Sequence, residues 1–105
     1  MAFNSQIIST TNDTDVVYIG NTATSMTLTN SHATAAVTLD LFIENILTGA
    51  NSGYILRNVK IPNGVSLKLE QDEFAFNNRV YKLVINTDNA GGGINITTRS
   101  WLANT

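Results

Sequence analysis

The sequence contains no cysteine, and its 105 residues include one proline and one histidine. Without cysteine, the chain forms neither a disulfide framework nor a thiolate metal site. A single imidazole supplies at most one metal ligand, so a histidine-based metal centre is not expected either. The length suits one domain, and the hydrophobic fraction of 43% is enough for one apolar core.

Charged residues are also scarce. They make up 13% of the chain, about half of the ~25% that is typical of soluble domains. The net charge is −2, and no lysine or arginine precedes Arg57. Binding to phosphate groups requires basic residues gathered on one face, so we expect neither nucleic acid nor membranes as partners.

Long apolar runs are absent as well. A run such as Leu41–Ile43 is far shorter than the ~20 residues that a bilayer-spanning helix needs. The first residues lack the basic region and the continuous apolar segment of a signal peptide. We therefore expect a soluble protein that is not exported by a cleaved signal.

Asparagine, threonine and serine replace charged residues as the main polar side chains. A partner can cover such a surface without stripping water from many charges, which is costly. An ordinary β protein that is rich in threonine and asparagine has the same composition. Composition alone therefore leaves both interpretations open.

Apolar residues recur with a period of two. Val37, Leu39, Leu41 and Ile43 fall on one face of a single segment, and Phe42 interrupts the polar face. This alternation indicates antiparallel strands with one buried face. The predicted strands are Gln6–Thr10, Asp15–Ile19, Ser25–Asn30, Ala35–Asn45, Tyr54–Ile61, Val65–Leu69, Arg79–Thr87 and Ile94–Leu102, with a short additional piece at Phe74–Phe76.

Turn residues separate these segments. Pro62-Asn63-Gly64 predicts a hairpin between its two flanking strands, and Asn77-Asn78 predicts a second turn. About seven or eight short strands predict an all-β fold, an antiparallel β-sandwich or a jelly roll. We expect one domain over residues 13–105, preceded by an arm over residues 1–12 that becomes ordered against a neighbour.

No constellation of residues predicts catalysis. His32 lies between two strands, with no motif for a nucleophile or an orienting carboxylate around it. Asp72 and Glu73 are adjacent, so in a strand they would point to opposite faces and share no substrate. We interpret them as part of a solvated connector. No catalytic or cofactor-binding residue is assigned, and the chain is not expected to be an enzyme.

Two further patterns fall short of a binding motif. Asp13 and Asp15 have the spacing that opens a calcium loop, but Val16 and the apolar residues after it replace the later oxygen ligands. The glycines at 91–93 lead into a predicted strand and lack the lysine of a phosphate-binding loop. No metal-binding residue is assigned.

Large apolar side chains on an outer face usually mark a contact. We assign four candidate interface residues, Phe3, Phe42, Trp101 and Leu102. The aromatic residues also allow a sugar-binding platform, for which the candidates are Tyr18, Phe42, Tyr54, Tyr81 and Trp101.

The segment YILRNVKIPNGVSLKLEQDEFAFNNRVYKLVINT, residues 54–87, resembles a small structural protein of tailed-bacteriophage virions, especially those of marine and cyanobacterial phages. Its pattern is a strand ending in Ile-Pro, a glycine turn, a Ser-Leu-x-Leu strand, a connector and a strand like YKLVI. NTATSMTLTNSHATAAVTLDLFI, residues 21–43, also fits. The ILTGANSG loop and the TRSWLANT tail depart from the pattern, and the family has no motif of functional residues to carry over.

The resemblance implies an all-β virion protein that is assembled in the host cytoplasm. The resemblance does not distinguish a capsid position from the neck or tail. The leading hypothesis is a decoration protein that binds the assembled capsid, with the major capsid protein, other virion proteins and further copies of itself as partners. The alternatives are a neck or tail component and a carbohydrate-binding module for host adhesion.

The carbohydrate-binding alternative has a direct test. If Trp101 provides the stacking platform, the protein will bind members of a glycan array and Trp101→Ala will lose that binding, because stacking on the indole is removed. An array without binding, or an unchanged signal from the variant, argues against this alternative.

Overall fold

The computed structural model describes residues 2–16, 23–32, 34–74, 77, 79–88 and 93–100. In this part of the chain there are eight strands and a single helical turn. They are β1 (Ala2–Ile8), β2 (Thr14–Asp15), β3 (Ala23–Asn30), β4 (Val37–Asn45), β5 (Asn51–Ile61), β6 (Ser66–Glu70), α1 (Gln71–Phe74), β7 (Tyr81–Thr87) and β8 (Ile94–Ser100). Each predicted strand overlaps one of these. The predicted ends at Ile19 and Leu102 lie outside the described residues.

The strands form two four-stranded sheets. The first sheet has the order β1-β8-β3-β6 and the second has the order β2-β7-β4-β5. Every neighbouring pair is antiparallel. This is the order of a jelly roll, in which two Greek keys share one core. The predicted antiparallel sandwich is therefore confirmed, in its jelly-roll form.

The topology follows from a single folded ribbon. β4 pairs with β5, β3 with β6, β2 with β7 and β1 with β8. The chain therefore doubles back at the β4–β5 loop, and successive strands on either side of this loop pair with each other as far as Ala2 and Ser100. Rolling this ribbon brings β3 against β8 and β4 against β7, which completes the two sheets.

The core lies between the two sheets and has the predicted periodicity. Val37, Leu39 and Leu41 are buried, and Ile43 packs against them at the edge of the core. The inward residues of β3, β7 and β8 supply most of the rest: Met26, Leu28, Leu83, Ile85, Ile94 and Ile96. Leu69 and Leu67 of β6 also face the core, whereas Val65 precedes β6 and is exposed.

The Pro62-Asn63-Gly64 segment is a turn, but the predicted hairpin is wrong. The Val65 amide donates to the Pro62 carbonyl at 3.1 Å, and Gly64 has a φ of 77°. However, β5 belongs to the second sheet and β6 to the first. The turn therefore carries the chain from one sheet to the other, and local turn residues do not specify which strands then pair.

Asn30, at the end of β3, holds this crossover in place. Its side chain is fully buried, and its amide group donates to the carbonyls of Ala35 at 2.9 Å and Ile61 at 2.8 Å. Its Oδ1 atom accepts from the His32 amide at 2.8 Å. One side chain thus joins the end of β3, the β3–β4 connection and the end of β5.

The Asn30 backbone holds the other half of the crossover. Its amide donates to the Val65 carbonyl at 3.0 Å, and its carbonyl accepts from the Gly64 amide at 2.9 Å. The turn after β5 is therefore fixed to β3 before β6 begins.

Gly93 fits against β1 at the same end of the molecule. Its φ is 70°, and a Cβ atom here would overlap the carbonyl oxygen of Ile8. The Ser31 amide donates to the Gly93 carbonyl at 3.2 Å. Only glycine combines this backbone conformation with so close an approach.

Two other local predictions differ from the structure. Ala2–Ile8 of the predicted arm pair along their whole length with β8 of the same chain, so these residues need no neighbour to become ordered. Gln71–Phe74 form a helical turn, where a connector and the start of a short strand were predicted. Asp72 and Glu73 are exposed, and Glu73 accepts from the Glu70 amide at 2.9 Å, which closes this turn.

Asn30→Ala will lower the free energy of unfolding by about 2–4 kcal/mol, because the buried Ile61 carbonyl and the part-buried Ala35 carbonyl and His32 amide lose their side-chain partner. Urea denaturation measures this change as a lower midpoint with an unchanged slope. Asn95→Ala is the matched control, since Asn95 lies on the outer face of β8 and its side chain accepts a single exposed hydrogen bond, from Ser5 Oγ; we expect it to cost less than about 0.5 kcal/mol. Equal losses in the two variants would contradict the role assigned to Asn30.

Candidate functional site

The two ends of the sandwich differ in chemistry. The end at which Asn30 lies, called here the Asn30 end, is closed by side-chain hydrogen bonds. Thr87 Oγ1 donates to the Thr10 carbonyl at 3.1 Å, and the Asn86 amide group donates to the Thr11 carbonyl at 3.0 Å. Asp88 Oδ1 accepts from the Thr38 amide at 2.9 Å. In these hydrogen bonds the polar groups of the loops bind one another and so stabilise the fold.

The opposite end, called here the hairpin end, carries the β4–β5 loop. The register places Asn45 beside Tyr81 in the second sheet and Ala2 beside Ser100 in the first. Since α1 connects β6 to β7 at this end, the helical turn lies here too. Both ends of the paired ribbon therefore finish at the hairpin end.

Among the described residues, three large aliphatic side chains are exposed at the hairpin end. Leu47 has 94% of its surface exposed, Ile46 has 48% and Val80 has 41%. The Ile46 amide donates to the Val80 carbonyl at 2.9 Å, which brings the two loops together. We call Ile46, Leu47 and Val80 the hairpin-end patch.

The loop that presents Leu47 is well organised by hydrogen bonds. Asn45 Oδ1 accepts from the amides of Leu47 at 2.9 Å and Thr48 at 3.2 Å. The Asn45 carbonyl accepts from the Gly49 amide at 2.8 Å, and Gly49 has a φ of 73°. An exposed leucine contributes nothing to the core, so its fixed presentation favours a contact with another molecule.

Phe42 lies on the outer face of β4 as predicted, but its side chain is buried within the single chain, and its assignment as an interface residue stays a prediction. Only 6% of its surface is exposed. Its ring centroid lies 5.7 Å from that of Tyr54, and the Arg57 guanidinium lies 4.8 Å from the Tyr54 centroid. Val84 faces Phe42 across the β4–β7 ladder and is also buried. Neighbouring side chains of the same chain therefore cover Phe42.

The contact between Arg57 and Tyr54 also decides whether Tyr54 can serve as a platform for a sugar. Tyr54 is about half exposed, but Arg57 covers one face of its ring. A sugar would have to displace the guanidinium in order to stack there. The arrangement stabilises the outer face of the sheet and leaves little open aromatic surface.

Charges surround this apolar cluster on the second sheet. Lys82 Nζ lies 3.3 Å from Asp15 Oδ1 and 3.7 Å from Glu44 Oε1. Asp40 Oδ1 accepts from the Asn58 amide at 2.7 Å, and Asn58 adopts a positive φ of 54° at a bulge of β5. The bulge and its charges protect this edge strand from pairing with another chain.

The outer face of the first sheet is different, because hydroxyl and amide groups dominate it. Thr27 lies between Thr97 and Lys68 in the register, and Thr29 Oγ1 lies 2.7 Å from Ser66 Oγ. The described charged residues of this face are Arg99, Lys68 and Glu70, and the last two form an ion pair at 3.4 Å. Among the described residues, the outer face of the first sheet therefore carries fewer charged side chains than that of the second.

The remaining candidate residues have varied positions. Phe3 is paired with Arg99 in the register of β1 and β8. Trp101 and Leu102 lie outside the described residues, as do Tyr18 and the glycines at 91–92. The described residues include no group of three or more histidine, cysteine, aspartate or glutamate side chains that could hold a metal ion.

His32 has a local structural role. Its Nδ1 atom accepts from the amides of Thr34 at 3.1 Å and Ala35 at 3.0 Å. Because both bonds use the ring nitrogen lone pair, that nitrogen is engaged within the turn and is not positioned as a general base.

The sequence did not reveal the hairpin-end patch, although a signal was present. Ile46 and Leu47 stand in the middle of ENILTGAN, a segment predicted to hold a turn at most. Turns favour glycine, proline, asparagine, aspartate and serine. Two large aliphatic residues at that position are therefore unusual.

Comparisons with protein families, with curated proteins and with solved structures found no significant match for this chain. Among the residues that the structure describes, no helix has the length and apolar character needed to cross a membrane.

Leu47→Ser will change the free energy of unfolding by less than about 0.5 kcal/mol, because Leu47 is exposed in the folded chain. Leu41→Ala is the contrasting variant, and we expect it to cost about 2–5 kcal/mol by leaving a cavity in the core. Urea denaturation of both proteins provides the test. A loss above about 1 kcal/mol for Leu47→Ser would show that Leu47 supports the fold.

Proposed function

We propose that this chain is a non-enzymatic structural protein of a tailed-bacteriophage virion, a decoration protein that binds the assembled capsid. The observation that carries the proposal is the ordered hairpin-end patch, in which Leu47 is almost fully exposed on a loop held by Asn45. The resemblance of residues 54–87 to virion structural proteins supports it. A jelly roll is also a common fold of viral capsid proteins.

Adhesion through Leu47 is the proposed mechanism. Burying a leucine side chain in a pocket contributes about 1.5–3 kcal/mol, whereas a dissociation constant of 1 mM already needs about 4.1 kcal/mol. A single Leu47 contact is therefore too weak to hold the protein. Many symmetric copies on one particle, or a homo-oligomer of the chain, would add these contacts together.

The charge-poor outer face of the first sheet supplies a second contact surface. Its threonine and serine hydroxyls can donate or accept hydrogen bonds, so a partner meets few charges that must lose water. The proposed partners are the major capsid protein, other virion proteins and further copies of this chain. The protein is made in the host cytoplasm and resides in the virion.

Leu47→Ser is the decisive variant for the contact. Particles that lack the protein are mixed with purified wild-type or variant protein, washed by sedimentation and analysed by quantitative mass spectrometry. We expect Leu47→Ser to lower the bound copies at least about tenfold, because each site loses more than about 1.4 kcal/mol. Val65→Ser is the matched control, since Val65 is an exposed aliphatic residue of the turn at the Asn30 end, outside both proposed contact surfaces, and it should bind like the wild type.

Two outcomes would contradict different parts of the proposal. If washed natural particles do not contain the protein, the virion function is wrong. If the wild type and Leu47→Ser bind equally, the hairpin-end patch is not the contact. An electron cryomicroscopy map of decorated particles would distinguish a capsid position from the neck or tail.

A further inference from the structure

The first sheet ends on one side at β1, an edge strand of regular geometry. β1 pairs with β8 in one unbroken register, from Ala2 opposite Ser100 to Ile8 opposite Ile94. In an edge strand, the N–H and C=O groups of alternate residues point away from the sheet. A strand from another molecule can form hydrogen bonds with these groups and so extend the sheet.

The other three edge strands of the sandwich carry features that oppose such pairing. β5 has three register shifts against β4, β2 has only two residues, and β6 is short and carries Lys68 and Glu70. Bulges, short length and charged side chains are the usual protections of an edge strand. The seven residues of β1, AFNSQII, include neither a charged residue nor proline, and their register with β8 is unshifted. β1 is therefore the unprotected edge among the described strands.

An exposed apolar side chain stands at this edge. Ser5 and Ile7 are exposed on the outer face of β1, whereas Ile8 is buried in the core. The exposed fraction of Ile7 is 64%. An unprotected edge that also exposes an isoleucine tends to associate, so its presence in the chain favours a partner that covers it.

The sequence of β1 is complementary to itself in the reverse direction. Residues 3–7 read apolar, amide, serine, amide, apolar, as Phe3, Asn4, Ser5, Gln6 and Ile7. When two such strands pair antiparallel about a two-fold axis at Ser5, Phe3 stands opposite Ile7 of the other copy. An aromatic residue opposite a β-branched one is a favourable cross-strand pair. The other opposed positions hold uncharged polar residues, so no like charges meet.

We propose that β1 pairs antiparallel with β1 of a second copy of this chain, centred on Ser5, so that their two four-stranded first sheets join into one sheet. A second copy fits this edge better than an unrelated strand, because the two-fold axis repeats every favourable contact. The pairing places the hairpin ends of the two copies at opposite ends of the dimer. The dimer would therefore join two partner sites, a consequence that rests on the proposed function, whereas the dimer itself does not.

A cysteine at the two-fold axis tests the register, because the chain has no cysteine of its own. Residues directly opposed in an antiparallel pair have Cα atoms about 4.5–5.5 Å apart, a distance that a disulfide spans. Ser5→Cys should therefore form linked dimers when oxidised glutathione accepts the electrons of the two thiols, as measured on non-reducing gels.

Ser66→Cys is the matched control for this variant. Ser66 is an exposed serine of β6, the opposite edge of the same sheet, and its hydroxyl, like that of Ser5, makes an exposed side-chain hydrogen bond. We expect Ser5→Cys to form linked dimers at least about tenfold faster, because the pairing raises the effective concentration of its thiol. Equal rates for the two variants would overturn the proposal.

Sedimentation equilibrium provides a measurement that needs no cysteine. Between about 10 µM and about 1 mM, the wild type should show a monomer–dimer equilibrium. Ile7→Ser should raise the dissociation constant at least about tenfold, since each dimer loses two apolar side chains. Leu47→Ser should dimerise like the wild type, which separates this edge from the hairpin-end patch.

Two results of this measurement would contradict the proposal. A wild type that stays monomeric at about 1 mM would overturn it and would leave β1 to a strand of another protein. An Ile7→Ser dimer as tight as that of the wild type would show that the copies associate elsewhere. Neither result depends on capsid particles, so failure of the dimer is distinguishable from failure of the proposed function.

Discussion

A buried asparagine makes the crossover between the sheets possible. A chain that leaves one sheet of a sandwich must pass over the core edge, where backbone groups lose both water and ladder partners. Asn30 satisfies these groups with both of its amide hydrogens, its side-chain oxygen and its own backbone. The core strands on either side can then stay apolar. Because a partly satisfied polar network is costly, few other side chains would serve at this position.

Concentrating hydrogen bonds at one end has a consequence for the other. Loops at the Asn30 end hold one another through Thr87, Asn86 and Asp88, whereas the β4–β5 loop is held by its own Asn45 and Thr48 and by a contact with Val80. The hairpin end is therefore free to vary in side chains without loss of the fold. The exposed Ile46, Leu47 and Val80 lie at this end, and the ILTGANSG loop there departs from the virion-protein pattern.

Alternation predicted the strands and the buried face of β4 because strand geometry repeats every two residues. The pairing of the strands was harder to predict from the sequence, since it depends on contacts between distant parts of the chain. Nothing near Pro62 shows that β5 and β6 enter different sheets, and nothing near Ala2 shows that β1 pairs with β8. Phe42 was placed on the correct face, but its cover by Tyr54 comes from β5. The hairpin-end patch could be identified only from the structure, because the exposure of Leu47 depends on which loops lie beside it.

The pairing of β1 with β8 places Ala2 directly across from Ser100. A short peptide could therefore link these two strands and close the chain into a ring. New termini could then be opened in the exposed connection between β1 and β2, at the Asn30 end of the sandwich. Such a circular permutant would keep every ladder of the jelly roll, and it would leave the surroundings of Leu47 clear of any fused tag or reporter domain.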